Sequence, residues 1–155
     1  MDVPVAANRP TIDSDSESWW QAIQDRRLMI NTCAGCGQNS LYARPLCPHC
    51  WSEDVALAPA SGRARLYTWT AVHQNAAPFD TCTPYVVAMV DLDEGPRLMT
   101  VLEDCPAESL CADMELTIAF RDDDDGFVVP VFRPVAADVG RNRNEQRRHD
   151  PGQRR

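Results

Sequence analysis

Lysine is absent from this chain: all 15 of its basic residues are arginine. That gap reads as nucleotide-composition bias. Positive charge is also scarce along most of the length. Residues 1–133 hold 9 arginines against 20 carboxylates, a formal charge of −11, whereas residues 134–155 hold 6 arginines against 3 carboxylates, or +3. A body this acidic repels a phosphate backbone instead of releasing its counterions, which argues against a nucleic-acid partner. No run of about eighteen apolar residues occurs, so no membrane-spanning helix is expected. The start, Met1-Asp-Val-Pro-Val5, lacks the basic and then apolar pattern of a signal peptide. A reducing, cytoplasmic setting is the expectation. Histidine is also rare, with three in 155 residues.

Cysteine is present in an informative pattern. Cys33-Ala-Gly-Cys36 and Cys47-Pro-His-Cys50 form two C-x-x-C knuckles separated by ten residues. A two-residue spacer lets both thiolates of a knuckle point at one centre, and two knuckles complete a tetrahedron around zinc. Gly35 and Gly37 provide the turn at the first knuckle, and Pro48 stiffens the second. Four thiolates leave no open position for a substrate, so the expected zinc is structural. Two disulfides or a redox dithiol would need an oxidising compartment or a thioredoxin-like context, and neither is visible. Cys82, Cys105 and Cys111 bring the count to seven, an odd number with irregular spacing, and read as partly buried small residues.

The organisation is mainly β. Residues 1–15 read as a flexible N-terminus. Over 16–27, Trp19, Trp20 and Ile23 at helical spacing, acids at the start and Arg26-Arg27 at the end predict a short amphipathic helix. Its two tryptophans either cover the neighbouring module or present a docking surface. A zinc ribbon is expected over 28–57, entered by a strand at Leu28–Thr32, with Ala58–Gly62 as a linker. From 62 to 134 the period changes to two. Arg63–His73, Tyr85–Asp91, Arg97–Glu103, Met114–Phe120 and Phe127–Phe132 give five strands, with hairpin turns at Asp93–Pro96 and Asp122–Gly126. Five short strands in this length suit an OB-fold barrel. Pro130 within the last strand implies an edge position or a bulge. The acidic run 122–125 lacks the spaced ligands of a calcium loop and reads as a solvated hairpin tip. Residues 135–155 form an Arg-rich tail expected to be disordered.

In order, these segments resemble a known family: the acyl-CoA-associated proteins with an N-terminal helix, a rubredoxin-like zinc ribbon and a C-terminal OB-fold, long described as a domain of unknown function. The likeness runs from Ser16 to Pro134. Trp19-Trp20, Asp25–Leu28, both cysteine knuckles, Ser61-Gly-Arg63, Tyr67–His73, Pro84–Val87, Asp93–Pro96 and Phe132-Arg-Pro134 carry it. The resemblance implies a non-catalytic subunit of a hetero-oligomer. Its expected partner is a thiolase-like catalytic subunit (thiolase, acyltransferase or steroid side-chain aldolase) acting on acyl-CoA or steroid-CoA. The small subunit is expected to stabilise that partner and help form the CoA or acyl channel.

The residues themselves show no catalytic constellation. His49 sits between zinc-ligand cysteines and His149 lies in the tail, which leaves His73, with no nucleophile or orienting carboxylate at a predictable position. The loop Gln74–Pro84 is either a barrel cap or a functional loop. On the functional reading, His73, Asn75, Phe79 and Tyr85 line the CoA or acyl channel, with Asn75 bonding a pantetheine amide. Two further classes compete. A single-stranded nucleic-acid module would use Tyr67 and Trp69 but lacks the basic groove. A thiol enzyme would need Cys82, Cys105 or Cys111 activated, and the acids beside Cys105 and Cys111 oppose ionisation.

Overall fold

The computed structural model describes residues 9–76, 79, 82–123 and 125–135. Of the start expected to be flexible only residues 9–15 fall within these, and of the Arg-rich tail only Val135; the rest of both lies outside the described residues.

Helix α1 spans Glu17–Gln24. Asp13 and Ser16 brace its entry reciprocally: the Ser16 N–H donates to Asp13 Oδ1 at 2.9 Å, and the Asp13 N–H to Ser16 Oγ at 3.1 Å. This is the logic of a capping box. The helix stops three residues short of the expected Arg27. Arg26 takes a left-handed φ of 56°, its N–H bonds the Ile23 carbonyl and the Arg27 N–H bonds the Ala22 carbonyl. That pattern is a Schellman closure, so Arg26 and Arg27 stand outside the helix. Released from it, Arg26 reaches the barrel and forks onto Asp122, with both oxygens at 2.6 Å.

The ribbon is a three-stranded antiparallel sheet in the order β2–β1–β3, from β1 (Met29–Cys33), β2 (Asn39–Ser40) and β3 (Val55–Pro59). The expected linker at Ala58–Gly62 is shorter than its turn chemistry suggested. Ala58 and Pro59 continue β3, paired with Ile30 and Met29. Pro59 is tolerated because β3 is an edge strand.

The barrel contains β4 (Arg63–Val72), β5 (Tyr85–Leu92), β6 (Arg97–Leu102), β7 (Glu115–Asp122) and β8 (Val128–Pro134), closed in the order β4–β5–β6–β8–β7. Long β4 pairs β5 along most of its length and β7 at its start. Closure rests on one parallel pair, Leu102 with Phe132. Pro130 pairs only toward Phe120 of β7, the edge-like setting that its missing N–H demands. Alternation sends Ala64, Leu66, Val86, Ala88, Val90, Leu92, Leu98 and Phe132 inward. Trp19, Ile23, Leu28 and Ile30 join the same buried cluster. Helix, ribbon and barrel therefore share one core, and this joins the zinc module mechanically to the barrel.

The two tryptophans of α1 cover their neighbours. Trp19 is 3% exposed and its indole N–H donates to the Met29 carbonyl at 2.8 Å. Trp20 packs on Phe127 with ring centroids 5.5 Å apart.

Candidate metal centre and the surfaces around it

The two knuckles are built alike. In each, the backbone N–H of the first cysteine bonds a carbonyl five residues on (Cys33 to Gln38, Cys47 to Ser52), and its carbonyl accepts from the N–H four residues on (Gly37, Trp51). Gly37 and Trp51 hold the equivalent left-handed positions, φ 71° and 63°. The sulfur atoms of Cys33, Cys36, Cys47 and Cys50 all lie within 4.8 Å of one another. The closest approaches are 3.6 Å for Cys33–Cys50 and 3.7 Å for Cys36–Cys47. A tetrahedron with Zn–S bonds of about 2.3 Å has edges of about 3.8 Å, so the set fits zinc, whereas a disulfide would need about 2.05 Å.

Electrostatics argue the same way. Burial opposes the Cys47 thiolate, but backbone N–H groups of His49 and Cys50 and the neighbouring thiols outweigh it and pull Cys47 down to about 6. Cys50 accepts from the Ser52 backbone, yet Cys36, burial, Cys33 and Cys47 push it up to about 12. Four sulfurs this close cannot all ionise without a cation among them. The cluster is a closed four-thiolate structural zinc site, with Cys33 and Cys47 buried and Cys36 and Cys50 at the surface.

The expected channel residues gather at one end of the barrel. His73 is exposed just beyond β4 and makes no hydrogen bond among the described residues. The amide of Asn75 donates to the Tyr85 hydroxyl at 2.7 Å, so that donor is already engaged. Phe79 is surface-exposed. No nucleophile–base–carboxylate relay converges on His73 among the described residues. Burial, then the nearby Asp104 charge, pushes the Cys105 thiol up, which keeps it a thiol.

Three surface features escape sequence reasoning because each depends on register or remote packing. The outer face of β5–β6 carries an apolar patch, beside the polar outer positions Arg63, Arg65, Thr68 and Thr70 of β4. Met99 is 62% exposed beside Met89, Val87 and Val101, and Arg97 stacks 3.3 Å from the Tyr67 centroid while pairing Asp91. Trp51 at the second knuckle is 75% exposed. A cleft of about 360 Å³ separates the ribbon from the β5–β6 turn and is lined by Asn39, His49, Glu94 and Arg97. Glu94 joins the modules there: its carbonyl accepts from Asn39 Nδ2 at 3.0 Å and its carboxylate from the Ser61 N–H at 2.6 Å. Burial opposes that carboxylate, but Ser61 and the charge of Arg63 hold it below the usual range.

Residues 20–56 match the family model of the ChsH2 rubredoxin-like zinc ribbon domain, and residues 58–121 match that of the ChsH2 C-terminal OB-fold domain. A DUF35 domain-containing scaffold protein of Methanocaldococcus jannaschii is 32% identical over 75% of this chain and 88% of its own length. The chain belongs to the ChsH2, or DUF35, family. Other relatives carry enzyme-subunit names. A probable enoyl-CoA hydratase alpha subunit of Thermomonospora curvata is 36% identical over 82% of this chain, which spans only 40% of that relative's length. The benzoylsuccinyl-CoA thiolase subunit BbsA of Thauera aromatica is 35% identical over 61% of this chain and 65% of its own. Among solved structures, a chain of the Ltp2-ChsH2(DUF35) aldolase superposes with a TM-score of 0.74 and 36% identity, covering 81% of this chain and 98% of that one. In family terms, both ChsH2 modules are present here, joined through one core. No described helix is long and apolar enough to cross a membrane.

Proposed function

We propose that this ChsH2-family chain is the non-catalytic zinc-ribbon and OB-fold subunit of a complex whose catalytic subunit has the thiolase fold and acts on acyl-CoA or steroid-CoA. The observation that carries this reading is the coverage of the aldolase match: this chain accounts for 98% of a chain found in the Ltp2-ChsH2(DUF35) aldolase. The likeness to BbsA, a thiolase subunit by name, supports the same role.

The surface chemistry agrees. An OB-fold that holds single-stranded nucleic acid offers cations interleaved with aromatics. Here the outer β5–β6 face offers Met89, Met99, Val87 and Val101, and the arginines beside it are each paired to a carboxylate: Arg97 to Asp91, Arg65 to Glu115 and Arg63 to Asp93. Such a face suits a protein partner. On this reading His73, Asn75, Phe79 and Tyr85, gathered at one barrel end, border the CoA or acyl channel, and the tyrosine hydroxyl held by Asn75 faces the pantetheine arm. A four-thiolate zinc site suits a reducing cytoplasm, where cysteines are kept from pairing as disulfides.

Affinity capture of the chain from its native cell, followed by assays of the chain alone and of the captured complex, tests this. A thiolase-fold protein should remain bound, and turnover of acyl-CoA should require it. Turnover by the purified chain alone, or capture without any thiolase-fold protein, overturns the proposal.

A further inference from the structure

A cavity of about 320 Å³ opens beside the first turn of α1. Its lining is aromatic and acidic: Trp20, the exposed Tyr42 and a small part of the largely buried Trp19, together with Asp13 and Asp15. The rings stand nearly at right angles. Trp19 and Trp20 have centroids 4.9 Å apart at 89°, and Trp19 and Tyr42 are 6.1 Å apart at 80°.

Two of the three rings are held from outside the cavity, and the backbone of the third is pinned. The Trp19 indole N–H donates to Met29, Trp20 leans on Phe127, and the Tyr42 carbonyl accepts from Asn31 Nδ2 at 3.0 Å. A ligand would therefore meet a largely preformed box and spend little on ordering it.

Ring faces carry the negative lobe of the aromatic quadrupole and attract cations. The start of α1 contributes a partial positive charge, but Asp13, Asp15 and Glu17 place three full negative charges within the same five residues. Asp13 in particular accepts the Ser16 hydroxyl at 2.6 Å and the Ser16 N–H at 2.9 Å, bonds that favour its ionised form. The chain also supplies an internal example of the chemistry. The guanidinium of Arg9 lies 3.9 Å from the centroid of Phe127, the ring against which Trp20 packs, and pairs with Asp125. The box repeats that combination of ring and carboxylate.

We propose that the Trp19–Trp20–Tyr42 box is a receptor for a cationic side chain, an arginine guanidinium presented by a protein partner. Arginine suits it better than lysine. Its planar group stacks on a ring while bonding carboxylates at the edge, and it is the more weakly hydrated of the two. The receptor stands whichever enzyme the chain serves.

Titrating the full, zinc-loaded chain with the peptide acetyl-Ala-Arg-Ala-amide, at constant ionic strength and with the indole N–H signals followed by NMR, tests it. The neutral control replaces arginine with citrulline, which has the same shape without the charge. Saturable shifts of the Trp19 and Trp20 signals are expected, with the citrulline peptide at least about tenfold weaker. Tyr42→Leu and Asp15→Asn should each weaken binding by about threefold or more. Both positions are solvent-exposed, and unchanged zinc content and circular dichroism would verify the fold. Equal response to the two peptides, no saturable response, binding unaffected by both substitutions, or tighter binding of a lysine peptide overturns the proposal.

Discussion

The side-chain amide of Gln24 holds the backbone of Val128 at both ends. Its Nε2 donates to the Val128 carbonyl at 3.1 Å and its Oε1 accepts the Val128 N–H at 3.0 Å. One side chain of α1 thus does for the start of β8 what a neighbouring strand would do, at the place where β8 lacks a partner on its β6 side. Gln24→Ala leaves two part-buried backbone groups unpaired and should cost about 1–3 kcal/mol. Gln24→Glu should cost more, because a carboxylate would face the Val128 carbonyl with no donor. Denaturant unfolding of the three proteins checks the order, and an alanine variant as stable as the parent would show the clamp to be idle.

Gly62 has no room for a side chain. Its φ is +75°, and a Cβ there would lie 2.3 Å from Cγ2 of Ile118, whose N–H donates to the Gly62 carbonyl at 2.7 Å. Gly62→Ala combines left-handed strain with an overlap at the β4–β7 seam, an expected loss of roughly 2–4 kcal/mol. In an Ile118→Ala background, which removes the overlapping Cγ2 methyl, part of that loss should be recovered: Gly62→Ala should cost less there than in the parent. No recovery on thermal unfolding would place the damage in the backbone alone.

Removing zinc should reach beyond the ribbon. The strand β1 that carries Cys33 also carries Ile30, which lies in the core cluster shared with Leu66 and Phe132. Chelation, or Cys47→Ser, should therefore unfold the ribbon and lower barrel stability in one cooperative transition, because metal binding is folding free energy in a module this small. Zinc affinity should fall as pH falls, since each bound sulfur must first lose its proton. Amide exchange with and without chelator reads this directly. A barrel with unchanged protection after zinc loss would contradict the shared core.

Trp51 carries a test of partner docking. It occupies the left-handed position that the first knuckle gives to Gly37, a conformation that costs a side-chain-bearing residue about 1 kcal/mol, and it leaves its indole 75% exposed. Trp51→Gly should leave stability of the isolated chain unchanged or raise it by up to about 1 kcal/mol. On the proposed role it should weaken assembly with the catalytic subunit by at least about tenfold, as loss of an aromatic anchor does. Calorimetry on the isolated variant and on the complex separates the two effects; undiminished assembly would make Trp51 a bystander.

Much of this fold was legible before any coordinates. The period-two strands of the barrel followed from alternation such as Val86, Ala88, Val90 and Leu92, and the zinc ligands from spacing alone. The misreadings share a cause. Arg26-Arg27 looked like a helix end by charge, but the chain reverses there so that Arg26 can reach Asp122. Ala58-Pro59 looked like a linker by composition, but the open edge of β1 recruited it into a strand. Strand β2, two residues long, has no period to detect.

By itself the sequence determined the zinc site, the ribbon-then-barrel order and the period-two strands. These depend on bonds and side-chain alternation within a few residues of one another. Only the tertiary structure decided how the modules join, how the barrel closes and which aromatics remain at the surface. The Gln24 clamp spans 104 residues of sequence, closure rests on a single parallel pair, and the aromatic box brings Tyr42 of the ribbon against Trp19 of the helix. Such contacts join residues far apart in sequence, whose meeting depends on the shared core, and no local pattern encodes them.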